Sequence, residues 1–175
     1  MRIKNLLWVA LLVLPLAAGA QQHRRKVRKA DAETREWKYE ITPVSVGAKG
    51  SVVVAVWSDS SNPVVAGEQA KKNAVHGVIF KGIPANGSVP GKRPLVPAST
   101  GDEQQQQQRQ AEYFDRFFED GGAYMRFVTL TSEKQQVTRV DKRKYRVGVV
   151  VVVSYDELRR ELENQGIVRK LDAGF

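Results

Sequence analysis

Few residues in this 175-residue chain have the types and spacing that do chemistry, and His76 is the first to weigh. A histidine serves as general base only with a carboxylate or hydroxyl in hydrogen-bond reach of it. On a helix Glu68 lies eight positions, about two turns, before His76, and Lys72 is its i−4 neighbour. Neither completes a triad, so His76 is read as a histidine at a helix surface or boundary. Glu119 and Asp120 adjoin Gly121-Gly122, where two carboxylates could divide acid and base roles, yet acids beside a glycine turn are ordinarily just solvated. The chain has no cysteine and two histidines, which makes a transition-metal site improbable, and no Asp-rich loop has calcium spacing. No catalytic, metal or cofactor-binding residue is assigned, and the chain is expected not to be an enzyme.

The other reactive group is cationic. Arg139, Lys142, Arg143, Lys144 and Arg146 surround Tyr145, and Arg24, Arg25, Lys26, Arg28 and Lys29 crowd the N-terminal part. Bases interleaved with an aromatic suit a polyanion, so these ten are the candidate polyanion-binding residues. The formal charge is +9, and Gln21 to Glu36 carries six bases against three acids. That stretch reads first as a solvated, disordered arm and second as an electrostatic tether to an acidic surface.

What precedes the arm sets the compartment. Arg2 and Lys4 stand before an apolar run from Leu6 to Ala18 that closes on Ala18-Gly19-Ala20, the pattern of a secretory signal peptide cleaved after Ala20. The run is shorter than the roughly 20 apolar residues a membrane helix needs. Without cysteine there is no lipidation site and no disulfide, which fits a bacterial envelope or secreted protein better than a small disulfide-stapled module. The expected organisation is a signal peptide over 1–20, a basic arm over 21–36 and one domain over 37–175. No transmembrane segment is expected after cleavage.

The elements that would hold any site follow from periodicity. Trp37 to Ile41 alternates, and Ser51 to Trp57 is Val-rich beyond Gly47 and Gly50, which predicts a β-hairpin. Asn62 and Pro63 suit an N-cap and first helical position, and a helix is expected to about Phe80. Ala66, Ala70, Ala74 and Gly77 form its small-residue stripe for packing on a sheet, with Glu68 and Lys72 as an i,i+4 pair opposite. Gly82 to Gly101 reads as a long structureless loop. Thr100 and Glu103 form a capping box before a helix that runs through Gln104 to Gln108, carries an apolar stripe of Ala111, Phe114, Phe117 and Phe118, and ends at Gly121-Gly122.

Tyr124 to Thr131 and Lys144 to Val153 read as strands, with Ser132 to Asp141 as a polar turn or frayed extension. In the second strand both faces are apolar, which predicts a central strand covered on both sides over part of its length. Ser154 and Glu157 repeat the capping box before a last helix with Leu158, Leu162 and Ile167 inward and Gly166 at its end. The fold class is α+β, an antiparallel sheet with helices packed on it in the order β-β-α-α-β-β-α.

The helix segment Glu68 to Phe80 and the closing stretch Leu158 to Ile167 resemble uncharacterised exported envelope proteins of the Bacteroides group. More loosely, the layout is similar to small flagellar-associated envelope lipoprotein domains, although the lipidation cysteine is missing. The resemblance implies an envelope location and no enzymatic activity. A non-enzymatic exported protein that binds a protein or an anionic envelope polymer is thus the leading expectation, in the periplasm or outside the cell. Export argues against nucleic acid, so an extracellular nucleic-acid or polyanion binder is the alternative, and a hydrolase of unrecognised type comes third.

Overall fold

The computed structural model describes Arg25 and residues 38–61, 66–96, 104–131, 135–142 and 144–170. These form an α+β domain with an antiparallel sheet, as the sequence implies. Strands β1 (Tyr39–Val46) and β2 (Val52–Ser60) are followed by helices α1 (Ala66–His76) and α2 (Gln104–Phe117). Strands β3 (Val128–Leu130), β4 (Gln136–Asp141) and β5 (Lys144–Val153) and helix α3 (Tyr155–Asn164) complete the order. β5 is central: β2 pairs along one side of it, and β3 and β4 share the other. The polar stretch after Thr131 therefore contains a full strand, one more than its composition suggests. Every β4 residue is exposed, and with no buried stripe its sequence carries little strand signal.

The β1–β2 hairpin turns at Lys49 (φ 50°) and Gly50 (φ 76°), two consecutive left-handed residues that match the twist of the flanking strands. Its tip is used. The Gly50 carbonyl accepts from the Asp156 N–H at 3.0 Å, so the hairpin satisfies one donor at the start of α3. Burial alternates along β2 and along β5 from Val149 onward, and Val54, Val56, Val147, Val151 and Val153 are wholly buried. Each contributes roughly 1.5–3 kcal/mol relative to an exposed side chain.

All three helices gather on that one face. In α1, Ala70 and Ala74 have no exposed surface and Gly77 lies against Ile41 and Tyr39 of β1, so the small-residue stripe does pack on the sheet. Ala66, the Asn62 cap and the Thr100–Glu103 capping box lie outside the described side chains. The helix reaches Lys81, but Gly77–Lys81 is a π-turn closed by the Gly82 N–H donating to the Gly77 carbonyl at 2.8 Å. α2 docks through rings, with Phe117 stacked on Phe127 at 6.0 Å and Phe114 edge-on to Phe80 at 4.8 Å. α3 buries Leu158 and Leu162 completely and ends as expected at Gly166, where the Ile167 N–H returns to the Leu162 carbonyl.

Three expectations need correcting. Between 82 and 96 the loop is folded: Ile83 bridges Lys92, Asn86 bridges Val89, and Leu95 and Val96 donate back to Val78 and Ile79. Backbone pairing supplies the order that its Pro and Gly content hides. Ala123–Phe127 is a 3-10 helix rather than strand, because Tyr124 and Phe127, three apart, both enter the core and a three-residue turn puts them on one side. Ser154 precedes α3 but makes no side-chain cap, so that capping box does not form.

Candidate binding surface

The sheet has a second face. Val53, Ala55, Trp57 and Asp59 of β2 and Val150 and Val152 of β5 alternate with the core residues and are half-buried. On this face of β5 Gly148 is buried beneath Trp57 and Val150 and Val152 are half-buried, so the strand is covered on both sides over part of its length, while the described helices all lie opposite. Register orders this open face in rows. Glu40, Trp57, Gly148 and Gln136 stand across β1, β2, β5 and β4. Asp59, Arg146 and Thr138 form the next row, and Thr42, Ala55 and Val150 the row on the other side.

Trp57 lies flat on Gly148. A Cβ added at Gly148 would stand 2.6, 2.7 and 2.8 Å from Cζ3, Cη2 and Cε3 of the indole. Near-equal distances to three consecutive ring atoms describe approach through the face of the ring, since approach in its plane would leave the middle atom much the nearest. Only glycine permits this contact, which explains a glycine inside a valine run. Arg146 flanks the ring, its guanidinium carbon 6.0 Å from the centroid, and pairs with Glu40 at 2.6 Å. Lys144 pairs with Asp59 at 2.9 Å.

Of the basic candidates in the β4–β5 hairpin, Arg139, Lys144 and Arg146 have side-chain partners. Arg139 folds onto its own turn, donating to the carbonyls of Asp141 and Lys142. Lys144 and Arg146 are ion-paired on the open face, and Lys142 is exposed at the turn with its N–H on the Asp141 carboxylate. Arg25 is exposed, while Arg24, Lys26, Arg28, Lys29 and Arg143 lie outside the described residues.

On the helical face His76 is half-buried at the boundary of the core, and a hydroxyl does reach it: the Tyr39 oxygen is 2.8 Å from Nδ1. Burial, helped by the Lys81 charge, pushes the imidazole down to about 3, and burial pushes the Tyr39 phenol up. At neutral pH both are uncharged, and with the ring proton on Nε2 the phenol donates to Nδ1. The ring also packs on Phe80 at 4.8 Å and Phe118 at 5.9 Å, and Lys81 lies 3.8 Å over Tyr39. Such a pair ties β1 to α1 and is poorly matched to proton transfer near pH 7.

Lys72 does not pair with Glu68 on an outer face. It is 6% exposed, 3.4 Å from Asp120 and 5.7 Å over the Tyr124 ring, while Glu68 takes Lys71 at 2.8 Å. Asp120 thus serves an ion pair, and Glu119 is exposed. Beneath α1 the wholly buried Asn73 donates to the Ser58 hydroxyl at 2.8 Å. Among the described residues, no three His, Cys, Asp or Glu side chains gather as metal ligands, and no helix is long and apolar enough to cross a membrane.

The open-face platform was not found from the sequence, although a lone glycine opposite a tryptophan in a paired strand is the signal for it. None of the family models, curated proteins or solved structures compared with the chain matches it.

Proposed function

We propose that the chain is an exported, non-enzymatic binding module of a bacterial envelope, and that it engages a protein or envelope polymer through the open face of its sheet. The observation that carries this reading is the seat of Trp57 on Gly148. A large aromatic lies in a half-buried position on the face opposite the helices, with two ion pairs beside it. Aromatic and arginine side chains in such a setting are the usual anchors of recognition. Export is supported by the Arg2 to Ala20 pattern and by the resemblance to exported Bacteroides-type proteins.

The pairing of Tyr39 with His76 supports a structural part for the one histidine of the domain, and so the non-enzymatic reading. The basic arm over 21–36 would then raise the rate of encounter with an acidic surface while the sheet supplies the lasting contact. The test is cosedimentation of the purified chain with envelope fragments. Trp57→Ala should release most of it at any salt, and deletion of His23 to Lys29 should only flatten the salt dependence. Equal sedimentation of Trp57→Ala and wild type would refute the open face as the binding surface.

A further inference from the structure

We propose that the surface around Trp57 takes a neutral glycan chain, a hexopyranose ring stacking on the side of the indole turned away from Gly148. This rests on the open face being the binding surface, and it names the chemistry of the ligand. A pyranose presents C–H groups on its ring faces and hydroxyls around its rim. It is therefore recognised by a flat hydrocarbon surface bordered by planar hydrogen-bonding groups.

The row through Trp57 has that composition. The Glu40 carboxylate stands on β1 at one end, the Gln136 amide on β4 at the other, and the ring seated on Gly148 lies between them. Arg146, beside the ring, pairs with Glu40 at 2.6 Å, so a guanidinium and a carboxylate, both planar, border the platform. The seat of the ring on Gly148 is already formed without a ligand, which lowers the entropic cost of stacking on it. Thr138 and Thr42 add hydroxyls in the adjoining rows.

Charge decides between a glycan and a polyanion. Beside the ring, Arg146 is paired with Glu40 and Lys144 with Asp59. A phosphate or sulfate stacked there would have to displace Glu40 and Asp59 from their partners and face their repulsion. A neutral polyol accepts from the cations and donates to the carboxylates without breaking either pair.

The experiment is a calorimetric titration of the full chain with chitotetraose and cellotetraose, and in parallel with heparin and oligothymidylate. The expected result is binding of a neutral tetrasaccharide that changes little between about 50 and 500 mM salt, unlike phosphate binding. Trp57→Ala should weaken it at least about tenfold, as for lost stacking elsewhere, and Trp57→Phe, which keeps a flat ring, should restore part of it. Glu40→Gln should also weaken it. Three results would overturn the glycan. In one, neither sugar binds while Trp57-dependent retention on envelope fragments persists, and the open-face reading then survives without it. In another, heparin or oligothymidylate binds more tightly than either sugar and loses affinity in Trp57→Ala. In the third, the chain is a dimer that buries Trp57 and only Trp57→Ala makes it monomeric.

Discussion

Trp57 rests the face of its indole on Gly148, directly across the β2–β5 pair, so that the single glycine in the central strand carries the largest side chain of the open sheet face. Adding a methyl group at 148 would drive the two apart. Gly148→Val should lift the ring from the sheet, lower stability by about 1–3 kcal/mol and abolish binding at the open face. Near-ultraviolet circular dichroism and a denaturation curve check this, and an unchanged aromatic spectrum would mean that the ring is not seated there.

Ala70 and Ala74 contact the sheet with no exposed surface, whereas Lys71 is half-buried and ion-paired with the exposed Glu68. Ala70→Leu and Ala74→Leu should each cost about 1–3 kcal/mol through overpacking, and Lys71→Leu much less. Three equal denaturation midpoints would contradict the packing of α1.

The depressed imidazole of His76 gives a pH dependence with a definite sign. In the unfolded chain a histidine takes up its proton near 6.5, but in the fold only near 3. Between those values the unfolded state binds more protons, so the contribution of His76 is present above about pH 6.5 and is lost as pH falls toward 3. Denaturation midpoints at pH 7 and 4.5 should therefore fall further for wild type than for His76→Gln. An equal fall in both would place the acid sensitivity in the carboxylates.

Tyr39→Phe removes the hydroxyl that reaches Nδ1 and leaves a half-buried ring nitrogen without this partner. A loss of about 1 kcal/mol is expected in urea unfolding, with no change in binding at the open face. A Tyr39→Phe protein as stable as wild type would show that the pair does not tie β1 to α1.

The hairpin, the three helices, the small-residue stripe and the glycine stop after α3 were legible because each is written in local periodicity or in a residue of special backbone freedom. β4 was not, since Gln136 to Asp141 has no buried face and is held by pairing to β5. The inward turn of Lys72 was hidden for a related reason: its partner Asp120 is forty-eight residues away, while Glu68 stands at the spacing that mimics a pair. The platform was half legible. Gly148 marks a close approach, but that Trp57 of all residues meets it depends on a register between strands ninety residues apart.

The most direct measurement follows Trp57 itself while the chain meets its ligand. In a chain with Trp8→Phe and Trp37→Phe, Trp57 is the sole indole, and its emission and acrylamide quenching can be read during titration with envelope fragments. If the open face is the binding surface, emission shifts to the blue and quenching falls in proportion to the fraction bound. Saturable binding that leaves both the emission and the quenching of Trp57 unchanged would contradict it.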